Sequence, residues 1–312
     1  MQINIPLGKR NLDIRQTKMG KVLKKIGFLM FVMLYFLNFS YAEEAQEDGN
    51  DAINRKQSKS YQSYDELFDL YQPYLKNVKA YEPIYFLMGA NPEKSKFQFS
   101  FRFQLFNKDA SLIENYDWLK GLNFGYTQTS FWDLKSNSKP FKDTSYKPEI
   151  FYLSTNLVSD NKDLKGVFLQ TGLKHESNGQ AGDISRSTNS MYLKPIFMFY
   201  DPSSLVGMQI SPKAWFYLEN DDDNNPDLKD YRGYFDLEVK LGREDRAMLE
   251  SHFRPAREGN SVELALTYPI QKYLANNIGV YLNLQYVNSL AENMINYKER
   301  TEVVRLGISL VR

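Results

Sequence analysis

The sequence predicts an all-β protein, a twelve-stranded antiparallel transmembrane β-barrel. Three observations predict it: an export signal at the N-terminus, no later apolar stretch long enough for a spanning helix, and a two-residue hydrophobic period from about residue 82 onward. A closed barrel is the structure other than a helix that satisfies every backbone polar group inside a bilayer.

Composition narrows the classes of partner and site. The chain has 312 residues, a formal net charge of +1 and no cysteine. A charge this close to zero gives no support for a nucleic-acid partner. The lack of cysteine excludes disulfide frameworks and thiolate metal sites.

The N-terminus has the pattern of a signal peptide covering residues 1–42. Basic residues at 21–25 precede an apolar run at 26–37, and small residues at 40 and 42 predict cleavage after Ala42. The alternative is a membrane anchor, but a spanning helix needs roughly 20 apolar residues. Met19 lies just before these basic residues and is a possible alternative translation start. Residues 43–81 are predicted to form a polar leader with one short amphipathic helix near 64–75.

The predicted barrel covers residues 82–312. In residues 96–105 every second residue is apolar, and a strand places all of these on one face. Eleven further segments give twelve strands, an even number as barrels of this kind require. The predicted strands are 82–88, 96–105, 122–132, 149–157, 167–177, 187–199, 206–218, 234–242, 246–254, 261–268, 277–287 and 302–311.

A soluble β-sandwich or lipocalin-like barrel would alternate in the same way. Two features favour the membrane: strands of about ten residues, which suit a tilted crossing, and aromatic residues near strand ends, which suit an interfacial girdle. The aromatic residues are Trp132, Tyr152, Tyr200, Trp215, Tyr217 and Tyr268.

Unexpected polar residues continue the apolar face of two neighbouring strands. His175 and Ser177 share a face with Leu173, and Asn189 lies on the outer face at the start of the next strand. Antiparallel pairing through the loop 178–186 brings the three together. An imidazole activates a serine, and a neutral amide can hold that imidazole in its productive tautomer. The pattern therefore suits acyl transfer, whereas His252, on the polar face, is predicted to be structural.

The order of residues in this region resembles the active-site signature of outer membrane phospholipase A. The matching residues are His175-Glu176-Ser177-Asn178-Gly179, then Ser185-Arg186-Ser187 and Asn189. Further similarity, in order, runs through Tyr126-Thr127-Gln128, Trp132, Ser138, Pro140-Phe141, Tyr146, Pro148, Asn224-Asn225-Pro226-Asp227, Tyr231, Gly233-Tyr234, Glu263-Leu264, Leu266 and Tyr268-Pro269-Ile270.

The resemblance implies a calcium-dependent enzyme of the outer membrane that hydrolyses acyl esters of phospholipids as a homodimer. By this resemblance Ser177 is the nucleophile, His175 the general base, and Asn189 the residue that orients His175. The Gly179 N–H would be the oxyanion donor. The implied calcium ligands are the Gln180 carbonyl, the Ser185 hydroxyl and the hydroxyl of Ser138 of the partner subunit. The family's arginine after the glycine is Gln180 here, and Asp183 is displaced by one position, so Asp183 is either an accessory ligand or a loop residue.

Gln128 lies on the predicted lipid-facing side, where an unpaired amide is costly. The matching family glutamine lies in the dimer contact, and pairing across two protomers would satisfy it. The alternative is an amide that reaches headgroups at the bilayer edge.

The rival interpretation is a porin or solute-binding barrel without catalysis, and a lipid-binding structural barrel is a weaker third. Predicted interior residues carry both signs and suit either a channel lining or a plugging network. They are Lys96, Arg102, Lys194, Glu238, Lys240 and Glu263.

Overall fold

We analysed a computed structural model of the chain. It describes residues 63–72, 74–107, 110–158, 164–221, 223–243, 245–271 and 278–312. The predicted signal peptide and most of the predicted leader lie outside the described residues.

Thirteen strands form one antiparallel sheet, and twelve of them close into a barrel. Strand β2 pairs with β3 on one side and with the last strand, β13, on the other, which closes the ring. The two-residue strand β1 pairs with the far end of β3. The strands are β1 Val78–Lys79, β2 Ile84–Gly89, β3 Ser95–Gln104, β4 Leu122–Trp132, β5 Phe141–Leu153, β6 Leu164–Ser177, β7 Ser187–Asp201, β8 Val206–Asn220, β9 Phe235–Arg243, β10 Met248–Arg254, β11 Ser261–Pro269, β12 Tyr281–Ser289 and β13 Thr301–Val311.

The predicted twelve-stranded barrel is confirmed, with one large change of boundary. Strand β5 begins at Phe141, although the sequence predicts a start near residue 149. The additional residues are mostly polar on both faces, so they show no hydrophobic alternation. They pair with β4 through Phe131↔Asp143 and Gln128↔Tyr146, which extends both strands at this end of the barrel.

Among the described residues, three short helices lie in the segments before and between the strands: α1 Tyr64–Tyr71, α2 Ser111–Asn115 and α3 Leu228–Arg232. Helix α1 covers the first part of the predicted amphipathic helix, and a 3-10 turn follows at Leu75–Asn77. In the described parts of the chain, no helix has both the length and the hydropathy to cross a membrane.

The barrel is apolar outside and polar inside. On β3, Lys96 and Ser100 are 3% and 0% exposed, whereas Phe99 is 49% exposed. The predicted aromatic girdle is only partly correct. Trp132, the last residue of β4, packs against Phe86, Phe97 and Phe141. Trp215 and Tyr217, in contrast, line the lumen.

Charged side chains cross the lumen in bonded networks. Lys194 contacts Glu238 at 2.6 Å, and Lys240 lies 3.5 Å from Glu238 and 3.4 Å from Glu250. His252 contacts Asp236 at 2.8 Å and Glu250 at 3.2 Å, as expected of a structural histidine. These contacts resemble a plugging network more than a channel lining.

The loop between β12 and β13 folds into the barrel mouth. Glu292 binds Lys96 at 3.1 Å and Arg305 at 2.7 Å. Burial raises the pKa of the Glu292 carboxyl, but these two cations outweigh it and hold the pKa below its usual value. Next to Glu292, the backbone N–H groups of Met294 and Ile295 donate to Asp143. Because antiparallel strands alternate in direction, this loop and the 178–186 loop lie at the same end of the barrel.

Candidate active site

Register places His175 and Asn189 side by side on the outer surface. They are direct partners across β6 and β7, and His175 Nδ1 lies 2.8 Å from Asn189 Oδ1. An amide oxygen can only accept, so Nδ1 carries the proton. The other ring nitrogen, Nε2, is then free to accept a proton, as a general base must.

Ser177 lies two residues beyond His175 and so projects from the same face of β6. Its register partners are Tyr146 on β5 and Ser187 on β7. The intervening Glu176 points into the lumen, where it binds Arg232 at 2.9 Å. This buried ion pair anchors the end of β6 from the inside and was not predicted from the sequence. The sequence signal for it was Glu176 itself, a charged residue that alternation along β6 places between the outward-facing positions 175 and 177.

Asn178 closes the loop that follows Ser177. Its side chain donates to the Ile184 carbonyl at 2.8 Å and accepts from the Arg186 N–H at 3.0 Å and the Gln180 N–H at 3.3 Å. The residue is 1% exposed. Asn178 therefore fixes the shape of the loop that holds several predicted site residues.

Gly179 occupies a position that only glycine suits. Its φ is +67°, in the left-handed region. A Cβ atom there would meet the Tyr146 ring at 2.8 Å. The backbone therefore packs directly beneath that ring, with the Gly179 N–H two residues from Ser177.

The predicted metal ligands are all oxygen donors near the barrel end. Gln180 and Asp183 are exposed, and Ser185 is half-buried in the same loop. Arg186 Nη1 donates to the backbone carbonyls of Asp183 at 2.8 Å and Ser185 at 2.7 Å. Neither bond involves the Ser185 hydroxyl. Hydroxyl and carbonyl oxygens are ligands that calcium accepts. Ser138 is exposed in the loop between β4 and β5, at the same end.

Gln128 lies on the outer face of β4, as predicted, but its amide already has partners within the chain. It accepts from the Tyr126 hydroxyl at 3.0 Å and donates to Ser130 Oγ at 3.3 Å. Each end of the Gln128 amide therefore already has a partner within one protomer. The cost of desolvating the amide gives weaker support for a contact between protomers.

An open groove of about 520 Å³ lies on the outer surface beside His175 and Asn189. Its wall is largely apolar, with Pro148, Ile150 and Leu173 among the residues that form it. The groove opens on the apolar outer surface of the barrel.

One residue at the site was missed by the sequence analysis. Glu219 Oε2 accepts a hydrogen bond from Asn189 Nδ2 at 2.9 Å. Simple alternation along β8 assigns Glu219 to the lumen with Trp215 and Tyr217. A β-bulge between β7 and β8 reverses that assignment, and single-sequence periodicity gives no signal for it.

Comparisons with known proteins agree on one family. The family model described as phospholipase A1 matches residues 15–310. Phospholipase A1 of Escherichia coli K12 is 30% identical over 225 residues, which cover 71% of each chain. A relative from Neisseria meningitidis serogroup B is 30% identical over 200 residues, which cover 59% of this chain and 47% of that sequence.

Solved structures share the fold. Outer membrane phospholipase A from Escherichia coli superposes with a TM-score of 0.61 at 25% identity, over 75% of this chain and 98% of that chain. The Salmonella typhi outer membrane phospholipase, solved as a dimer with bound calcium, has a TM-score of 0.60 at 24% identity, over 75% of this chain and 91% of that chain. The chain therefore belongs to the phospholipase A1 family of outer-membrane β-barrel enzymes.

Proposed function

We propose that the protein is a calcium-dependent phospholipase that hydrolyses acyl ester bonds with a Ser177–His175–Asn189 triad on its lipid-facing surface. The observation that carries the proposal is the 2.8 Å contact between His175 Nδ1 and Asn189 Oδ1 on the outside of the barrel. A non-catalytic porin has no use for such a pair, and the luminal ion pairs do not favour a channel.

The reaction begins with a phospholipid that reaches Ser177 laterally, with one acyl chain in the apolar groove. His175 Nε2 takes the proton from Ser177 Oγ while that oxygen attacks the ester carbonyl. The Gly179 N–H donates to the developing oxyanion. His175 then gives the proton to the departing lysophospholipid oxygen, leaving an acyl group on Ser177.

Hydrolysis of this intermediate reverses the roles. His175 takes a proton from water, the resulting hydroxide attacks the acyl carbonyl, and Ser177 Oγ leaves with that proton. Asn189 keeps the imidazole in the same tautomer through both halves, because its oxygen accepts from Nδ1–H throughout.

The Gln180 carbonyl and the Ser185 hydroxyl would hold calcium in one protomer, completed by the hydroxyl of Ser138 of the partner subunit. Bound there, the cation would add positive charge near the oxyanion. The Salmonella typhi relative, a dimer with bound calcium, supports this assignment. Asp183 would be an accessory ligand, and Gln128 would lie in the contact between protomers.

The test is fatty-acid release from mixed phospholipid–detergent micelles by the refolded full chain. We expect Ser177→Ala and chelation of calcium each to abolish release, because one removes the nucleophile and the other an oxyanion-stabilising charge. Ser251→Ala is the matched control, since Ser251 lies on β10, away from the proposed site, and its hydroxyl donates to the Val239 carbonyl at 3.3 Å. Continued hydrolysis by Ser177→Ala, or in the presence of chelator, would contradict the proposal.

A further inference from the structure

The carboxylate of Glu219 extends the triad by one further hydrogen bond. His175, Asn189 and Glu219 form a continuous chain, with contacts of 2.8 Å and 2.9 Å. The three residues come from adjacent strands, β6, β7 and β8. A charged side chain on this mostly apolar face needs a polar partner, and the Asn189 amide supplies one.

The backbone of β8 is shaped to place Glu219 at this point. Asn189 pairs with Glu219, but Ser190 pairs with Tyr217, so Leu218 is the extra residue of a β-bulge. A bulge reverses the alternation of side chains beyond it. Leu218 and Glu219 are therefore both exposed on the outer surface, and both line the groove beside His175.

The carboxylate controls which way the Asn189 amide faces. An amide can rotate by half a turn and exchange its oxygen for its NH₂ group. An ionised carboxylate accepts but does not donate, so it holds the NH₂ group toward β8 and the oxygen toward His175. The reversed amide would donate to Nδ1 and shift the imidazole proton to Nε2, where the ring can no longer act as base.

We propose that Glu219 is a positioning residue that locks the Asn189 amide and, through it, the productive tautomer of His175. This inference rests on the proposed function, because it assumes that His175 is the general base. The negative charge of Glu219 also polarises the Asn189 amide that lies between it and His175. This favours the imidazolium that forms when His175 accepts a proton.

Kinetics of three variants test the role. Glu219→Ala removes the acceptor, and we expect kcat to fall roughly ten- to hundredfold, as for other partners that orient a functional histidine. KM should change little, because the residue acts through Asn189 and not on the substrate. Glu219→Gln should recover part of the rate, since its carbonyl oxygen still accepts. Glu302→Ala is the control: Glu302 is an exposed glutamate on β13 that accepts from the Tyr286 hydroxyl at 3.0 Å.

A double-mutant cycle separates positioning from a general structural role. In an Asn189→Ala background, Glu219→Ala should cause no further loss, because the group through which it acts is absent. An equal loss in both backgrounds would overturn the proposal.

Histidine ¹⁵N NMR provides a readout that does not depend on turnover. The chain has two histidines, so His252 is an internal reference. We expect His175 to carry its proton on Nδ1 in the wild type and to populate the other tautomer in Glu219→Ala. An unchanged tautomer in that variant would overturn the proposal.

Three further outcomes are decisive. If Glu219→Ala raises only KM, and only for a phospholipid with a cationic headgroup, Glu219 is a headgroup contact and the positioning role is wrong. Wild-type rates in Glu219→Ala together with an inactive Ser177→Ala would reject the role of Glu219 alone. Hydrolysis by Ser177→Ala would instead reject the proposed function on which it rests.

Discussion

At the scale of residues, the neutral amide of Asn189 is matched to the charge beside it. An aspartate at this position would lie against Glu219, whose oxygen is 2.9 Å from the present Asn189 nitrogen. Two carboxylates this close ionise with difficulty, so one of them retains a proton. The shared proton would occupy the place of the amide N–H.

We therefore predict that Asn189→Asp is most active where this proton is retained. Its kcat should fall roughly tenfold relative to the wild type as the pH rises, because loss of the proton sets two like charges together. Adding Glu219→Gln should remove that dependence on pH. Measurement of kcat from about pH 6 to about pH 9 checks this, and an unchanged pH profile in Asn189→Asp would contradict it.

Side-chain alternation predicted the outward direction of His175, Ser177 and Asn189, and the structure has all three on that face. The same rule fails for Glu219, because alternation assumes an unbroken pleat and a bulge inserts one residue. The partners of Gln128 were also missed. They are Tyr126 and Ser130, each two residues away on the same strand, and the cost of burying an amide in lipid does not reveal such local partners.

At the scale of elements, the 178–186 loop connects the proposed nucleophile, Ser177, to the proposed calcium site. Gly179 and Gly182 both have positive φ, +67° and +66°. They differ in their surroundings: a Cβ on Gly179 meets the Tyr146 ring at 2.8 Å, whereas a Cβ on Gly182 meets nothing within 4 Å. Substitution of each glycine in turn therefore separates the effect of backbone strain from that of crowding beside Ser177.

Gly179→Ala should lower kcat by roughly a hundredfold, because the loop and the Tyr146 ring must move apart, which displaces the Gly179 N–H from the oxyanion. Gly182→Ala carries the same backbone strain without the clash, and we expect a loss of less than about threefold. Both variants should keep the β-sheet circular dichroism of the wild type. Equal losses in the two variants would show that the Tyr146 contact does not matter.

The element most poorly predicted was the start of β5, and the reason is physical. At the barrel ends the outer face leaves the hydrocarbon, so polar residues occupy both faces and the two-residue period disappears. Strand β6 reaches the same end but keeps an outward Leu173 and His175 against an inward Lys174 and Glu176, so its end at Ser177 was predicted correctly.

At the scale of the whole molecule, the polar lumen and the apolar exterior have separate tasks. Ion pairs such as Lys194–Glu238 and the Glu292 contacts with Lys96 and Arg305 link strands across the inside. The outer surface carries the proposed triad, and Ser138 is exposed at the barrel end that holds Ser177.

The proposed exchange of Ser138 between protomers predicts complementation between two defective variants. Ser177→Ala lacks the nucleophile, and Ser138→Ala lacks the hydroxyl that its partner's calcium site requires. In a mixed dimer, the protomer with an intact Ser177 receives its third ligand from the Ser177→Ala protomer, so one complete site is restored. Mixing the two before micelle assembly should therefore give more hydrolysis than the sum of the two alone.

The size of the gain is set by subunit mixing. Random association of equal amounts makes about half of all dimers mixed, each with one complete site in place of two, so the rate should approach roughly a quarter of wild type. Ser251→Ala in place of Ser177→Ala should give a higher rate, because the dimers of two Ser251→Ala protomers then have two complete sites. A rate no greater than the sum of the separate variants would mean that each protomer builds its site without Ser138 of the partner subunit.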